Sequence, residues 1–104
     1  METQPTTPVD LSTLLGRIGA LVAWSGAAPA PFSLAAGLSK THVGQVLRGS
    51  IKTLRDDAVA KVADLTGASR AWIAYGEGDA PAEQDVAARV KRRLEERAGG
   101  SKAA

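Results

Sequence analysis

The chain has 104 residues, a formal net charge of +2 and 44% hydrophobic residues, which is enough apolar content for one folded domain with a modest core. It has no cysteine and one histidine, which excludes disulfides and thiolate metal sites and argues against a histidine-based metal site, so we expect no cofactor. No apolar run approaches the roughly 20 residues of a membrane span and no basic segment precedes an apolar one, so we expect a cytoplasmic protein that contacts no membrane.

The charges are segregated along the chain. Between Leu11 and Arg55 there is no acidic residue, and the five basic residues are Arg17, Lys40, Arg48, Lys52 and Arg55. Residues 56–98 carry nine acidic residues against seven basic ones, so that half is close to balanced. Because counterion release depends on the local cluster of cations that meets the phosphates, the first half favours a polyanionic partner.

The N-terminal part of the chain changes character at Asp10. Residues 1–9 hold two prolines and three threonines with little apolar content, so we expect a disordered tail there. Apolar residues then recur at three- and four-residue steps, which predicts an amphipathic helix; they are Leu11, Leu14, Leu15, Ile18, Leu21 and Val22. Asp10 or Ser12 suits the N-cap of this helix, and Gly26 suits the position after its end.

Two prolines separate the first helix from the second. Pro29 and Pro31 forbid the continuation of a helix but allow a new one to begin, with Pro31 at its first position. We expect this second helix to end near Ala36, because Gly37 permits the positive φ through which a helix reverses.

A third helix is predicted over residues 40–47, with Ser39 as its N-cap. Val43, Val46 and Leu47 form its buried stripe at helical spacing, so its polar residues are left to the other side or to the ends. Gly49 then closes the helix.

Two further helices are predicted before residue 79. Thr53, with Asp56 three residues later, resembles a capping box and places the start of a fourth helix near Leu54 or Arg55. That helix buries Val59, Val62, Ala63 and Leu65 and ends at Gly67. Ser69 caps a short fifth helix that Trp72 and Ile73 anchor and that Gly76 stops.

The composition of residues 79–98 indicates a hinge followed by a last helix, which begins at Pro81 and runs to about Arg97. Val86, Val90 and Leu94 recur at four-residue steps, a stripe that we interpret as too narrow for the domain core and suited to a twin helix. The sequence therefore predicts these three residues as the dimer contact. We expect residues 99–104 to be a disordered tail.

Two motifs in order carry a resemblance to a known family. The first is Phe32-Ser33-x-x-x-Gly37-Leu38-Ser39-x-x-x-Val43 with Gly49 after it, and the second is Ala71-Trp72-Ile73-Ala74-Tyr75-Gly76-Glu77-Gly78. Residues 11–78 thereby resemble the five-helix DNA-binding domain of the lambda-repressor and Cro family, also called the XRE family. The resemblance implies an all-α, compact five-helix domain over residues 10–78 that contains a helix-turn-helix, with an additional C-terminal helix over residues 79–98.

The spacing of the first motif also has a physical meaning. Gly37 lets the chain turn sharply, Ser33 is small enough for two helices to approach closely, and Leu38 and Val43 lock the angle between them. Ser33 stands where the family usually has alanine, so we expect its hydroxyl to bond back to its own helix backbone. Pro29 and Pro31 stand where the family often has a polar side chain, which leaves backbone N–H groups to hold a phosphate there.

The resemblance implies which residues contact DNA. The family's base-reading positions correspond to Lys40, Thr41 and Gln45 in this sequence, with His42 as a further candidate. These side chains have groups that can form hydrogen bonds with base edges or apolar contacts with a thymine methyl. Phosphate contacts are expected at Ser39, Arg48, Ser50, Lys52, Thr53 and Arg55.

Simpler interpretations stand beside these assignments. The alternative for Lys40, Gln45 and His42 is that they are ordinary surface side chains in contact with solvent and have no binding role. Gly44 permits close approach of the backbone to DNA or to the second helix, or is a tolerated defect. Asp56 and Asp57 lie in the first turn of a helix, where they are dipole partners rather than a general acid/base pair.

The expected function is sequence-specific double-stranded DNA binding. We expect a repressor of phage or mobile-element type that binds a palindromic operator as a homodimer, in the cytoplasm of a bacterial or phage-infected cell and associated with the nucleoid. The alternative is an antitoxin or adaptor whose helical domain binds a toxin or a polymerase subunit. RNA binding ranks third, because no aromatic stacking platform is present. An enzyme is the least expected class, because no nucleophile, base and orienting group form a set.

Overall fold

The computed structural model describes the backbone of residues 11–103 and the side chains of residues 11–98. Over that range the chain is all-helical, as the sequence predicts, with no strand. The helices are α1 (Leu14–Ser25), α2 (Pro29–Ala35), α3 (His42–Leu47), α4 (Asp56–Thr66), α5 (Arg70–Tyr75) and α6 (Glu83–Ala103). The predicted N-terminal tail, Asp10 and Ala104 lie outside the described residues.

No single helix of the described chain is long and apolar enough to span a membrane. Helices α1 and α2 reach that length and composition only together, and they are bent by 92° at the break between them.

Helix α1 lies at the centre of the domain and packs against α2, α3, α5 and α6. Its N-cap is Thr13, whose Oγ1 accepts the Gly16 N–H at 3.0 Å, so Ser12 does not have the predicted capping position. Ile18 and Leu21 of this helix are fully buried. It ends at Gly26 with φ 75°, as predicted.

The α2–α3 pair contains the predicted turn at Gly37, which has φ 86°. Helix α2 begins at Pro29 rather than Pro31, and α3 begins at His42 rather than Lys40. Ser39 is therefore not the N-cap of α3; that position belongs to Thr41, whose side chain makes no capping hydrogen bond.

Ser33 links the two helices. It is fully buried, and its Oγ accepts the Val43 N–H of α3 at 2.9 Å. The expectation that its hydroxyl bonds back to its own helix is therefore wrong. A hydroxyl of α2 satisfies an N–H in the first turn of α3 that a local cap would otherwise satisfy.

Helix α4 begins at Asp56, with Arg55 as an N-cap that makes no side-chain hydrogen bond, so the predicted capping box at Thr53 is not formed. Helix α5 is capped as predicted, because the Ser69 Oγ accepts the Trp72 N–H at 3.0 Å. Trp72 is buried and stacks on the half-buried Trp24 of α1, with 6.5 Å between the ring centroids.

Helix α6 packs against α1, α2 and α4 of the same chain. Val86 and Val90 are 0% exposed, so the prediction that this stripe is too narrow for the domain core and contacts a twin helix is wrong for both. Three helices surround the stripe, and a row of small branched side chains is enough to fill the space between them. Only Leu94 of the predicted dimer contact keeps an exposed part. The helix continues to Ala103, through most of the predicted disordered tail.

Two arginines satisfy carbonyl groups at helix C-termini, where a positive charge also meets the negative end of the macrodipole. Arg17 is 3% exposed and donates to the Ile73 carbonyl at 3.0 Å and the Ala74 carbonyl at 3.3 Å, in the last turn of α5. Arg93 donates to the Ala35 carbonyl at the end of α2 at 2.9 Å. Arg17 is therefore a structural side chain and does not belong to a phosphate-binding surface.

Candidate nucleic-acid interface

Helix α3 is held against the core by one side only. Val43 and Val46 are buried between α3, α1 and α2. The backbone of α1 approaches closely, because a Cβ added at Gly19 would lie 3.6 Å from the Leu47 Cδ2. On the other side of α3, Gly44 and Gln45 are half-buried, and the turn that precedes the helix contains the exposed Lys40 and Thr41.

The predicted base-reading residues lie around the N-terminal turn of α3. Lys40 and Thr41 are exposed and precede the helix, whereas His42 and Gln45 lie within it and are half-buried. The Thr41 carbonyl accepts the Gln45 N–H at 2.9 Å, and the Ser39 carbonyl accepts the His42 N–H at 3.1 Å. The structure therefore brings all four residues together within about one helical turn.

His42 differs from the other three. Its Nε2 is buried and has no hydrogen-bond partner among the described residues. A ring nitrogen that contacts no solvent cannot accept or donate a hydrogen bond to a base edge without a rotation of the side chain. Lys40, Thr41 and Gln45 are therefore the base-reading candidates that have no buried, unpartnered polar side-chain atom.

The predicted phosphate-binding residues are all exposed, namely Ser39, Arg48, Ser50, Lys52, Thr53 and Arg55. Ser39 precedes α3, whereas the other five follow it. Gly49, with φ 81°, closes the helix, and the Ser50 N–H bonds to the Gln45 carbonyl at 2.9 Å, so the loop begins directly beside the end of α3. Exposed polar groups therefore lie at both ends of α3.

The cations of this surface have no ion-pair partner within residues 11–98. Lys40, Arg48, Lys52 and Arg55 are all exposed, and none of them lies within ion-pair distance of a described carboxylate. One acidic group is nevertheless near, because Asp56 lines the same groove as Lys52 and Thr53. The acid-free stretch of sequence thus has an acidic neighbour in space, which lowers the positive potential at Lys52.

Gly44 has open space in front of it. The atom nearest to an added Cβ is the Arg48 Nη1 at 3.4 Å, and no atom of α2 lies within 4 Å. Gly44 therefore does not serve close packing against the second helix. Two interpretations of Gly44 therefore remain: its backbone allows DNA to approach closely, or the glycine is a tolerated defect.

The start of α2 offers little to a phosphate. Pro29 and Pro31 have no N–H, and the Phe32 N–H bonds to the Ala28 carbonyl at 3.1 Å. Within the first three helical positions only Ala30 carries an N–H. The expectation that backbone groups hold a phosphate here is not supported by this geometry.

One cation near the turn was missed by sequence reasoning. The Lys61 Nζ of α4 lies 3.5 Å from the Gly37 carbonyl. The two residues are 24 positions apart, and the local sequence of α4 contains no signal for this contact.

No protein-family model, curated protein or solved structure matches this chain. Within the described residues, no group of three or more His, Asp or Glu side chains is arranged to hold a metal ion.

Proposed function

We propose that this protein binds double-stranded DNA sequence-specifically and regulates transcription, with the lambda-repressor-like arrangement of its first five helices and with α3 in the major groove. The observation that carries the proposal is the α2–α3 pair. Its sharp turn at Gly37 and the buried Ser33–Val43 hydrogen bond hold a short helix whose outer side is half-buried, and this side is flanked by exposed cations that have no ion-pair partner within residues 11–98.

The outer side of α3 and the turn before it have the chemistry of direct readout. Lys40 donates to guanine O6 and N7, Gln45 bonds adenine through both atoms of its amide, and Thr41 contacts a thymine methyl. The major groove is about 12 Å wide, which admits one helix. These three side chains lie in the first part of α3 and in the turn directly before it.

The residues after α3 have the chemistry of phosphate contacts. Arg48, Lys52 and Arg55 supply charge, and the hydroxyls of Ser50 and Thr53 supply hydrogen bonds. Such contacts fix the position of α3 on the duplex and add affinity without sequence preference.

One short helix reads only a few base pairs, so we propose that two copies act together on a palindromic operator in the bacterial nucleoid. Half-sites read by a two-fold dimer lie about 34 Å, or one helical turn, apart. Occupation of such an operator blocks transcription by excluding polymerase, which makes a repressor the form of regulation that we favour.

The experiment that tests this function is selection of bound sequences from a random double-stranded DNA pool by the full chain. Recovery of an inverted repeat, followed by a mobility shift with the selected site and none with a scrambled site, is the expected result. Recovery of no shared sequence would contradict specific binding, and selective retention of single-stranded RNA from a parallel pool would replace DNA with RNA.

A second function, binding of a protein partner, has one observation in its favour. Tyr75 is 73% and Leu15 is 44% exposed, and both share grooves with the half-buried Leu14. Exposed apolar groups in neighbouring positions are typical of a protein contact. An antitoxin or adaptor is therefore the alternative, and co-purification of a stoichiometric toxin or polymerase subunit that Tyr75→Ser releases would favour it.

A further inference from the structure

A groove of about 450 Å³ runs between the end of α1 and the outer face of α6. Its walls are Ser25, Gly26 and Ala27 on one side and Ala87, Lys91, Leu94, Glu95 and Ala98 on the other. This face of α6 is distinct from the one that holds Val86 and Val90, which the core covers completely.

The α6 wall has the spacing of a helix-pairing seam. Ala87, Lys91, Leu94 and Ala98 follow one another at steps of four, three and four residues, which is the spacing at which two helices contact each other. Leu94 keeps an exposed part although it packs against the core. Across the groove, a Cβ added at Gly26 would meet no atom within 4 Å, so the space above that turn is open.

The charged residues that line the groove indicate which partner is complementary to it. Lys91 and Glu95 are exposed, and neither forms an ion pair with a described side chain of its own chain. A copy of α6 laid parallel would set Lys91 against Lys91 and Glu95 against Glu95. A copy laid antiparallel sets each Lys91 beside Glu95 of the other copy, so the face is complementary to itself in that orientation alone.

We propose that this groove is the homodimer interface and that the α6 helices of two copies pair in it antiparallel. With Lys91 of one copy level with Leu94 of the other, Ala87 lies level with Ala98 at both ends of the contact. The small alanines allow close approach of the two helices, Leu94 supplies the apolar centre, and the lysine stem covers it while its charge meets Glu95.

The proposal rests on the proposed function only for its purpose, since two copies read a palindrome and one does not. The interface is measured without DNA, so the two proposals fail separately. A monomer that still selects an inverted repeat would overturn the interface alone, and a dimer that selects no sequence would overturn the function alone.

The test uses two charge reversals of exposed residues in the full chain, Lys91→Glu and Glu95→Lys, with sedimentation equilibrium at tens of micromolar. We expect the unaltered protein to be a dimer and each variant alone to dimerise at least about tenfold more weakly, because like charges then face each other at two symmetric places. An equimolar mixture of the two variants restores complementarity and should form a heterodimer with nearly the original affinity.

The equimolar mixture distinguishes an effect on the dimer interface from an effect on the folding of α6. If a charge reversal weakened the dimer only because it destabilised α6, mixing it with a second destabilised variant would not restore dimerisation. Arg92→Glu, an exposed reversal on the same helix outside the groove, is the matched control and should leave the dimer unchanged. A monomeric parent protein, single variants that dimerise as the parent does, or a mixture that stays monomeric would each overturn the proposal.

Discussion

Ser33 makes the one side-chain hydrogen bond described between α2 and α3, since its Oγ accepts the Val43 N–H at 2.9 Å and its side chain is fully buried. Ser33→Ala keeps the small volume that close helix packing needs but leaves that N–H without a partner. We expect a loss of about 1–3 kcal/mol in the free energy of unfolding, because the N–H stays buried. Urea denaturation measures it, with the exposed Ser50→Ala as control. A Ser33→Ala variant as stable as the parent would show that water or a local shift satisfies the N–H.

Lys40 and Gln45 are expected to differ from Arg48 and Lys52 in the kind of effect that their loss produces. On the selected operator, Lys40→Ala or Gln45→Ala should cost about 1–3 kcal/mol of binding and relax the preference at one or two base pairs. Arg48→Ala or Lys52→Ala should instead weaken binding to all sequences alike and reduce the slope of log K against log salt by about one.

Fluorescence anisotropy at several salt concentrations, on operator and scrambled duplexes, distinguishes the two kinds of effect. Arg70→Ala, an exposed arginine outside the proposed interface, is the charge-matched control and should change neither the preference nor the slope by a comparable amount. If Lys40→Ala and Gln45→Ala leave base preference intact, α3 does not read the groove in the proposed way.

The helix ends that a glycine marks are predictable from the sequence, whereas several helix starts and the end of α6 are not. Gly26, Gly67 and Gly76 end their helices with φ between 75° and 82°, and this preference belongs to the glycine itself. The start of α3 depends on Ser33, ten residues away, so no local pattern contains it. Ser69 was found correctly because its hydroxyl acts within three residues.

The candidate interface likewise has some features that the local sequence predicts and others that it does not. The exposure of Lys40 and of the loop after α3 follows from which residues the helix must bury, and the apolar spacing alone predicts it. The internal position of Arg17 depends on a contact with a distant element, α5. An arginine that satisfies carbonyls 56 and 57 positions away is indistinguishable in sequence from one that meets a phosphate.

Arg93 ties α6 to α2 and α4, through the Ala35 carbonyl at 2.9 Å and the Asp64 Oδ2 at 3.0 Å. The carbonyl bond is the more protected one, because the Asp64 side chain is 76% exposed. We therefore expect Arg93→Met, which keeps much of the packing volume, to cost about 1–2 kcal/mol of stability, and Asp64→Asn to cost less than about 0.5 kcal/mol. Thermal unfolding compares the two, and equal losses would mean that the ion pair dominates.

At the scale of the whole molecule, α6 belongs to the same core as α1 to α5. The sequence suggested a domain over residues 10–78 followed by a separate helix, because a valine stripe one residue wide gives no sign of what will cover it. In the structure Val86 and Val90 are fully buried in the common core, and Arg93 binds the end of α2. The unit that folds is therefore expected to include α6 at least as far as Leu94.

Truncation tests that expectation. Burying one valine contributes about 1.5–3 kcal/mol, so the loss of two is a large part of the roughly 5–15 kcal/mol of stability that a domain of this size has in total. The matching surface on α1 and α4 would also become exposed to water. We expect a chain ending at residue 78 to lose cooperative thermal unfolding and the dispersed amide spectrum of a packed domain. A chain ending at residue 98, which keeps Val86, Val90, Arg93 and Leu94, is the matched control and should unfold as the parent does. Cooperative unfolding of the shorter chain near the parent's midpoint would instead make residues 10–78 a domain of their own, with α6 an appendage that only covers it.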